Sequence, residues 1–262
     1  MSRISNVFHD RRHKALIAYI TAGFPSAEAT VGAALRLARS GCDIIELGIP
    51  FSDPMADGVT IQHSSHQALL NGTTPQTCFE IAGRIRQQSD VPLVFMTYLN
   101  PVISFGVERF CADCADKGID GLIIPDLPPA GLPALDKSAK ESGIDTIYFV
   151  APNSSPERIS KAAQNSSGFI YMVSVTGVTG VRNTFSAGLG QVVATVRRVT
   201  DLPLCIGFGI SGPEQAREAA ALADGVIIGS RIIQILEKDS PPYPELSEFI
   251  RQVRHSLDGS GN

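Results

Sequence analysis

The chain has 262 residues, a formal net charge of −4 and a hydrophobic fraction of 44%. Its basic residues are scattered, which argues against nucleic acid or an anionic membrane as the main partner. No apolar run reaches the roughly 20 residues that cross a bilayer, and the basic N-terminus lacks the apolar core of a signal peptide, so we expect an unprocessed cytoplasmic protein.

Eight apolar runs recur along the chain at a steady spacing. They are continuous rather than alternating, which is typical of parallel strands covered on both faces. The predicted strands span 15–21, 43–47, 92–98, 121–125, 146–150, 169–173, 203–207 and 225–229.

Helical patterns separate these strands, and eight strand–helix units predict an α/β fold of the (β/α)8 TIM barrel type. A doubly wound open sheet is the alternative, but the turn after the first strand, 21–25, lacks a G-x-G-x-x-G motif. Extra helical segments are predicted at 2–12, which would plug the bottom of the barrel, between the second and third strands, and at 243–256. We expect one barrel domain over 1–257 and a disordered tail over 258–262.

The five cysteines are an odd number at irregular positions, as expected for free thiols in a reducing compartment. Cys111 and Cys114 spell C-x-x-C, which raises a redox or zinc interpretation. At helical spacing, however, both fall on one apolar face with Val107 and Phe110. No second pair completes a zinc set, so the pattern favours a core position.

The second predicted strand ends on a carboxylate. Glu46 follows Ile44 and Ile45, and a charged side chain in such a run is costly to desolvate unless it is paired or takes part in chemistry. Asp53 and Asp57 lie on the next loop. Because barrel active sites form at the C-terminal ends of strands, Glu46 is a candidate acid/base. A buried ion pair is the alternative for Glu46, and a solvated surface position is the alternative for Asp53.

The loops after the last three predicted strands are rich in glycine. They cover 174–180 and 207–213, and Gly229 leads into a helix that begins at Ser230. Glycine lets backbone N–H groups approach an anion closely, and a helix N-terminus adds favourable partial charge. A tight turn is the alternative for each loop alone, but two such loops in adjacent positions predict a phosphate site.

Lysine and histidine are not found at the predicted strand ends, so no Schiff-base amine is expected. His63 and His66 have i, i+3 spacing without a third ligand, and a solvated helix face is favoured over a metal site. The residues thus predict a site of carboxylates, hydroxyls and a phosphate cradle, without metal or imine.

The stretch 46–62, ELGIPFSDPMADGVTIQ, resembles the signature of the tryptophan synthase alpha subunit family. The similarity continues through MTYLNP at 96–101, IPD at 124–126, YMVS at 171–174, GVTG at 177–180, GFGIS at 207–211 and the dipeptide at 229–230. It covers essentially the whole chain.

This resemblance implies a lyase of tryptophan biosynthesis that cleaves indole-3-glycerol phosphate to indole and glyceraldehyde 3-phosphate by retro-aldol chemistry. It implies no cofactor in this chain. Pyridoxal phosphate is expected in a partner beta subunit, which would receive indole through a tunnel in an alpha2-beta2 heterotetramer.

The resemblance also implies roles for individual residues. Glu46 and Asp57 are implied as the catalytic pair. The implied substrate-binding residues are Tyr19, Met96 and Phe208 around the indole ring, Tyr171 in the pocket, Thr179 on a loop over the substrate, and Gly180, Gly209, Gly229 and Ser230 at the phosphate. The implied partner interface includes Asp53, Pro54, Asn100 and Asp126.

The residue types suit this reaction. Cleavage needs a proton at indole C3 and loss of a proton from the adjacent glycerol hydroxyl, and one carboxyl group, Glu46, can do both. Asp57 can accept the indole N–H and stabilise positive charge on the ring. Val59 stands where many family members have proline, a departure that bears on the closure of the Asp57 loop and removes no catalytic group.

Two other functions are weighed against this one. A free-standing indole-3-glycerol phosphate lyase would use the same chemistry and release indole. A weakly catalytic regulatory subunit would bind the phosphate ligand mainly to activate its partner, but the presence of both carboxylates disfavours it.

Overall fold

The computed structural model describes residues 2–10, 12–173, 182–207 and 209–259, with 182–188 described by their backbone alone. The strands are β1 Ala15–Thr21, β2 Ile44–Gly48, β3 Leu93–Met96, β4 Gly121–Ile123, β5 Asp145–Ile147, β6 Phe149–Val150, β7 Ile170–Val173, β8 Leu204–Gly207 and β9 Gly225–Ile228. The helices are α1 Arg3–Val7, α2 Ala27–Arg39, α3 Val59–Leu70, α4 Pro75–Arg86, α5 Leu99–Phe105, α6 Val107–Asp116, α7 Pro133–Glu141, α8 Pro156–Asn165, α9 Arg182–Arg197, α10 Pro213–Ala220, α11 Ser230–Leu236 and α12 Pro244–Asp258.

All strand pairs are parallel, and their order is β5-β4-β3-β2-β1-β9-β8-β7-β6. The two end strands, β5 and β6, are separated only by Tyr148. They are therefore two halves of the predicted strand 146–150, of which one half pairs with β4 and the other with β7. The sheet closes through this split strand, and the predicted (β/α)8 barrel is confirmed.

Side chains alternate between the inside of the barrel and the surrounding helices. On β2, Ile44 belongs to the inner apolar cluster, whereas Ile45 and Leu47 pack in the outer cluster against the helices. Glu46 lies two residues from Ile44 and pairs in register with Tyr19, another member of the inner cluster. The strand period of two therefore directs the Glu46 side chain into the barrel.

The N-terminal segment covers the bottom of the barrel, as predicted. Ile4 is fully buried in the inner cluster, and Arg3 donates to Asp120 Oδ1 at 3.0 Å. The helix ends at Val7 rather than at residue 12, so the predicted length was wrong. Near the predicted end the Asp10 side chain accepts the Arg12 N–H at 3.0 Å, a local turn that competes with helix.

All five cysteines are free and buried. Cys111 and Cys114 lie on the buried face of α6 with Phe110, which confirms the core interpretation of the C-x-x-C motif. Among the residues that the structure describes, no helix has the length and apolarity needed to cross a membrane.

Candidate active site

Glu46 lies inside the barrel with 1% of its surface exposed. Neither carboxyl oxygen has a hydrogen-bond partner among the described residues. Burial, with a smaller contribution from the charge of Asp57, raises the pKa of Glu46 to about 8. The group is therefore mainly a neutral acid at pH 7, able to donate a proton.

Asp57 lies on the loop between β2 and α3, and its Oδ1 atom is buried without a partner in the described part of the chain. Burial raises the pKa of Asp57 to about 6, while the Tyr98 hydroxyl favours the ionised form. At neutral pH the two neighbouring carboxyl groups thus hold opposite protonation states. Such a separation of pKa values marks an acid and a base in one site.

Tyr98 and Ser65 hold the loop that carries Asp57. The Tyr98 hydroxyl accepts the Ala56 N–H at 2.9 Å, and its ring stacks on Phe51 with centroids 5.4 Å apart. Ser65 Oγ accepts the Phe51 N–H at 2.9 Å and donates to the Phe51 carbonyl at 3.2 Å. These contacts fix the part of the loop that precedes Asp57.

Two tyrosines extend into the barrel mouth over glycines. A Cβ atom at Gly48 would lie 2.1 Å from the Tyr19 hydroxyl, and one at Gly207 would lie 2.4 Å from the Tyr171 hydroxyl. Each glycine therefore provides the space that a phenol occupies. Phe149 packs against Tyr171 with ring centroids 4.5 Å apart. Burial raises the pKa of both tyrosines, so their hydroxyls stay protonated.

Met96 completes the inner wall beside these groups. It belongs to the inner cluster and pairs in register with Gly48 on β2. The thioether thus lies next to the strand that carries Glu46.

The expected phosphate positions lie after neighbouring strands. Gly209 follows β8 with φ of +79°, and Gly229 follows β9 at the N-cap of α11, whose first residue is Ser230. Because β8 and β9 pair, both loops leave the same end of the barrel. Thr179, Gly180 and Phe208 lie outside the described residues.

The histidines of α3 are exposed. His63 is 52% exposed and lies 3.2 Å from Glu237, and His66 is also exposed. In the described ranges no group of three or more potential ligand side chains is arranged to hold a metal ion.

The tryptophan synthase alpha chain family model matches residues 6–256. A tryptophan synthase alpha chain from Dehalococcoides mccartyi is 50% identical over 258 residues, which cover 98% of this chain and 100% of that one. The chain belongs to the tryptophan synthase alpha chain family.

Solved alpha chains share the whole fold. The tryptophan synthase subunit alpha from Legionella pneumophila str. Paris superposes with a TM-score of 0.90 at 32% identity, covering 99% of each chain. A chain of the Mycobacterium tuberculosis tryptophan synthase in space group F222 gives a TM-score of 0.90 at 37% identity, covering 98% of each chain.

As a member of this family, the protein is a carbon–carbon lyase that cleaves indole-3-glycerol phosphate in tryptophan biosynthesis. The alpha chain of this family carries no cofactor, and pyridoxal phosphate belongs to the beta subunit. The predicted reaction and family are therefore confirmed.

The fold brings Glu46, Tyr19, Tyr171 and Met96 together in the barrel interior. Tyr98 and Ser65, which anchor the loop, were not predicted as site residues from the sequence. Tyr98 had a usable signal, because it closes an apolar strand run as Glu46 does. Ser65 lies between the exposed His63 and His66 in the sequence and had no signal of its own.

Proposed function

We propose that Glu46 transfers the protons of the cleavage and that Asp57 stabilises the charge on the indole ring. The Glu46 carboxyl group donates its proton to indole C3, which makes the ring an electron sink. The resulting carboxylate takes the proton of the adjacent glycerol hydroxyl as the C–C bond breaks. Its electrons restore the indole, the aldehyde of glyceraldehyde 3-phosphate forms, and Glu46 is again protonated.

The observation that carries this proposal is three buried carboxyl oxygens, both of Glu46 and Oδ1 of Asp57, that have no partner in the described residues. Orphaned buried carboxyl oxygens are costly unless a ligand satisfies them. A protonated Glu46 supplies the proton that C3 needs, and an ionised Asp57 supplies an acceptor for the indole N–H.

The remaining pocket residues are proposed to hold the substrate around this pair. Tyr19, Met96 and Phe208 would contact the indole ring, Tyr171 would line the pocket, Thr179 would close over the substrate, and Gly180, Gly209, Gly229 and Ser230 would bind the phosphate. The depth of Tyr19 and Met96 in the inner cluster supports the aromatic subsite. The positive φ of Gly209 supports close approach of its backbone to an anion.

We further propose that the rim beside this site binds a beta subunit in an alpha2-beta2 heterotetramer. Asp53 and Asn100 are exposed after β2 and β3, and Asp126, exposed after β4, accepts the Leu99 N–H at 2.9 Å. These strands are neighbours, so their loops form one continuous edge. The implied interface set is Asp53, Pro54, Asn100 and Asp126.

Exposed apolar side chains near this rim favour a protein partner. Met55 is 88% exposed and Val59 is 82% exposed, both on or beside the Asp57 loop. A cavity of about 210 Å³ lies between this loop and α3, outside the barrel mouth, and Pro54 lines it. Burial of this surface would bring the partner against the segment that carries Asp57.

Buried free thiols suit a reducing compartment, and we place the complex in the cytoplasm.

Co-purification with a beta subunit, and indole release measured with and without it, test the assembly. The proposal expects stable co-purification and a faster cleavage in the complex. Strong unassisted turnover with no partner binding would instead indicate a free-standing lyase.

At the phosphate, Ser230→Ala should chiefly raise KM because backbone N–H groups remain, and a change confined to kcat would contradict that role.

A further inference from the structure

Helix α3 follows directly after the Asp57 loop but has little apolar surface to hold it in place. Its buried residues are Ser64, Ser65 and Ala68. The helix N-cap, Gly58, makes no side-chain capping bond. A buried aliphatic side chain contributes about 1.5–3 kcal/mol, and two buried serines contribute none of this kind. Besides the packing of Ala68 and the partly buried Ile61 against the inner cluster, the hydrogen bonds of these serine hydroxyls hold α3 in place.

Ser64 connects α3 to the barrel through a chain of buried hydroxyls. Ser64 Oγ donates to the Ile61 carbonyl at 2.9 Å and lies 2.7 Å from Thr21 Oγ1. The Tyr19 hydroxyl lies 3.4 Å from the same Thr21 oxygen. With the Ser64 proton directed to the Ile61 carbonyl, the Thr21 hydroxyl is the donor in the 2.7 Å contact. This short hydrogen bond is the link between β1 and α3, and the 3.4 Å contact between Tyr19 and Thr21 is weak.

Ser65 connects the same helix to the start of the catalytic loop. Its hydroxyl binds both backbone groups of Phe51, and one turn earlier Gln62 Nε2 donates to the Asp57 carbonyl at 2.8 Å. Residues 51–57 are thus attached to α3 at both ends, while α3 is attached to β1 through Ser64. A displacement of α3 would displace Asp57.

We propose that Ser64 and Ser65 are positioning residues for Asp57: Ser64 fixes α3 to strand β1, and Ser65 fixes the loop to α3. This inference rests on the proposed role of Asp57. Neither serine contacts substrate. Both act through the placement of the carboxylate.

The predicted effect on pH dependence follows from the surroundings of Asp57. The titratable groups whose charges interact with it are Glu46, Tyr19, Tyr98 and Tyr171. Burial is the main cause of the raised pKa of Asp57. A loop released from α3 would admit water to the carboxylate, lower its pKa and move the acidic limb of activity to lower pH.

The test compares Ser64→Ala, Ser65→Ala and Thr21→Val with the matched control Ser247→Ala. Ser247 is 4% exposed on α12 and donates to the Tyr243 carbonyl at 2.9 Å, so its loss has a similar structural cost away from the site. We expect kcat to fall about 10- to 100-fold in the first three variants, the range that a misplaced catalytic group produces. Ser247→Ala should keep the wild-type kcat. Thr21→Val keeps the shape of the side chain and removes only the hydroxyl that contacts Ser64. It therefore tests the same link if Ser64→Ala does not fold.

An Asp57→Asn background separates the two proposals. If the serines act through Asp57, adding Ser64→Ala to Asp57→Asn should cause no further loss of kcat. The positioning role would be overturned if Ser64→Ala lowered kcat as much in the Asp57→Asn background as in the wild type. Equal kcat values for Ser64→Ala and Ser247→Ala would also overturn it. Near-wild-type activity of Asp57→Asn alone would instead overturn the proposed role of Asp57.

Discussion

Burial raises the pKa of Glu46 to about 8, with a further contribution from the negative charge of Asp57, whereas burial raises the pKa of Asp57 only to about 6. One carboxyl group is kept as an acid and the other as a base by the environment that the barrel mouth provides. The proposed cleavage uses the protonated Glu46 to transfer the protons and the ionised Asp57 to stabilise the charge on the indole ring.

The pH dependence of kcat/KM should be bell-shaped. Activity should rise as Asp57 ionises near pH 6 and fall as Glu46 loses its proton near pH 8. Because the groups interact, the two apparent pKa values belong to the pair. Initial rates of indole formation between pH 5 and 9 provide the measurement, and a flat profile across this range would contradict the assignment.

Asp57→Asn should change both limbs of that profile. The acidic limb should disappear, because the group that ionises is gone. The alkaline limb should move to lower pH, because the charge that helps to raise the Glu46 pKa is removed. A large fall in kcat is also expected, and an alkaline limb that stays in place would show that the two carboxyl groups do not interact.

Stability should fall with rising pH because of Glu46. Its folded pKa of about 8 lies above the ordinary value of 4.5, so between these pH values the native state holds a proton that the unfolded state has released. The wild-type free energy of unfolding should therefore decrease from pH 5 to pH 8, with a contribution on the order of a few kcal/mol. Glu46→Gln removes this titration. Urea unfolding at pH 5 and at pH 8 should show that the free energy of unfolding of the variant, relative to that of the wild type, is higher at pH 8 than at pH 5. An equal difference at both pH values would contradict the raised pKa.

Gly48→Ala should damage the pocket through Tyr19. The new Cβ atom would lie 2.1 Å from the Tyr19 hydroxyl, so the phenol must move. A cost of about 1–3 kcal/mol, as in other overpacked sites, corresponds to roughly a tenfold or larger loss in kcat/KM if it falls on substrate binding. Gly190→Ala is the matched control, because a Cβ atom there meets nothing within 4 Å. Equal kinetics in the two variants would show that Tyr19 tolerates displacement.

Ile4→Ala should destabilise the barrel without impairing the chemistry. Ile4 is fully buried at the barrel bottom, away from the loops that carry the site, and its truncation should cost about 2–5 kcal/mol. Urea unfolding should show this loss, while kcat of the folded variant stays near the wild-type value. Val199→Ala, at a position 46% exposed, should change stability little.

The barrel was predictable because its strands are covered on both faces and read as continuous apolar runs. Strand ends were less predictable, since local partners decide them. The apolar run over 92–98 continues beyond Met96, yet β3 stops there and Tyr98 becomes the N-cap of α5. The division of the predicted strand 146–150 into β5 and β6 depends on pairing with two different neighbours, and a single sequence does not reveal these contacts.

Glu46 was predictable because a carboxylate in an apolar strand conflicts with its surroundings. Ser64 and Ser65 carry no such conflict, since serines are common on helix surfaces. Their importance arises only when α3 packs against β1 and Phe51. Local patterns thus reveal the group that performs chemistry more readily than the groups that position it.

The most direct test of the mechanism is single-turnover cleavage of indole-3-glycerol phosphate by Glu46→Gln, with substrate binding measured in parallel. Glutamine keeps the size of the side chain but cannot donate and recover the proton. We expect the rate of indole formation to fall roughly 10²- to 10⁴-fold, the contribution of a general acid/base, while binding is retained. Cleavage at the wild-type rate would contradict the role of Glu46.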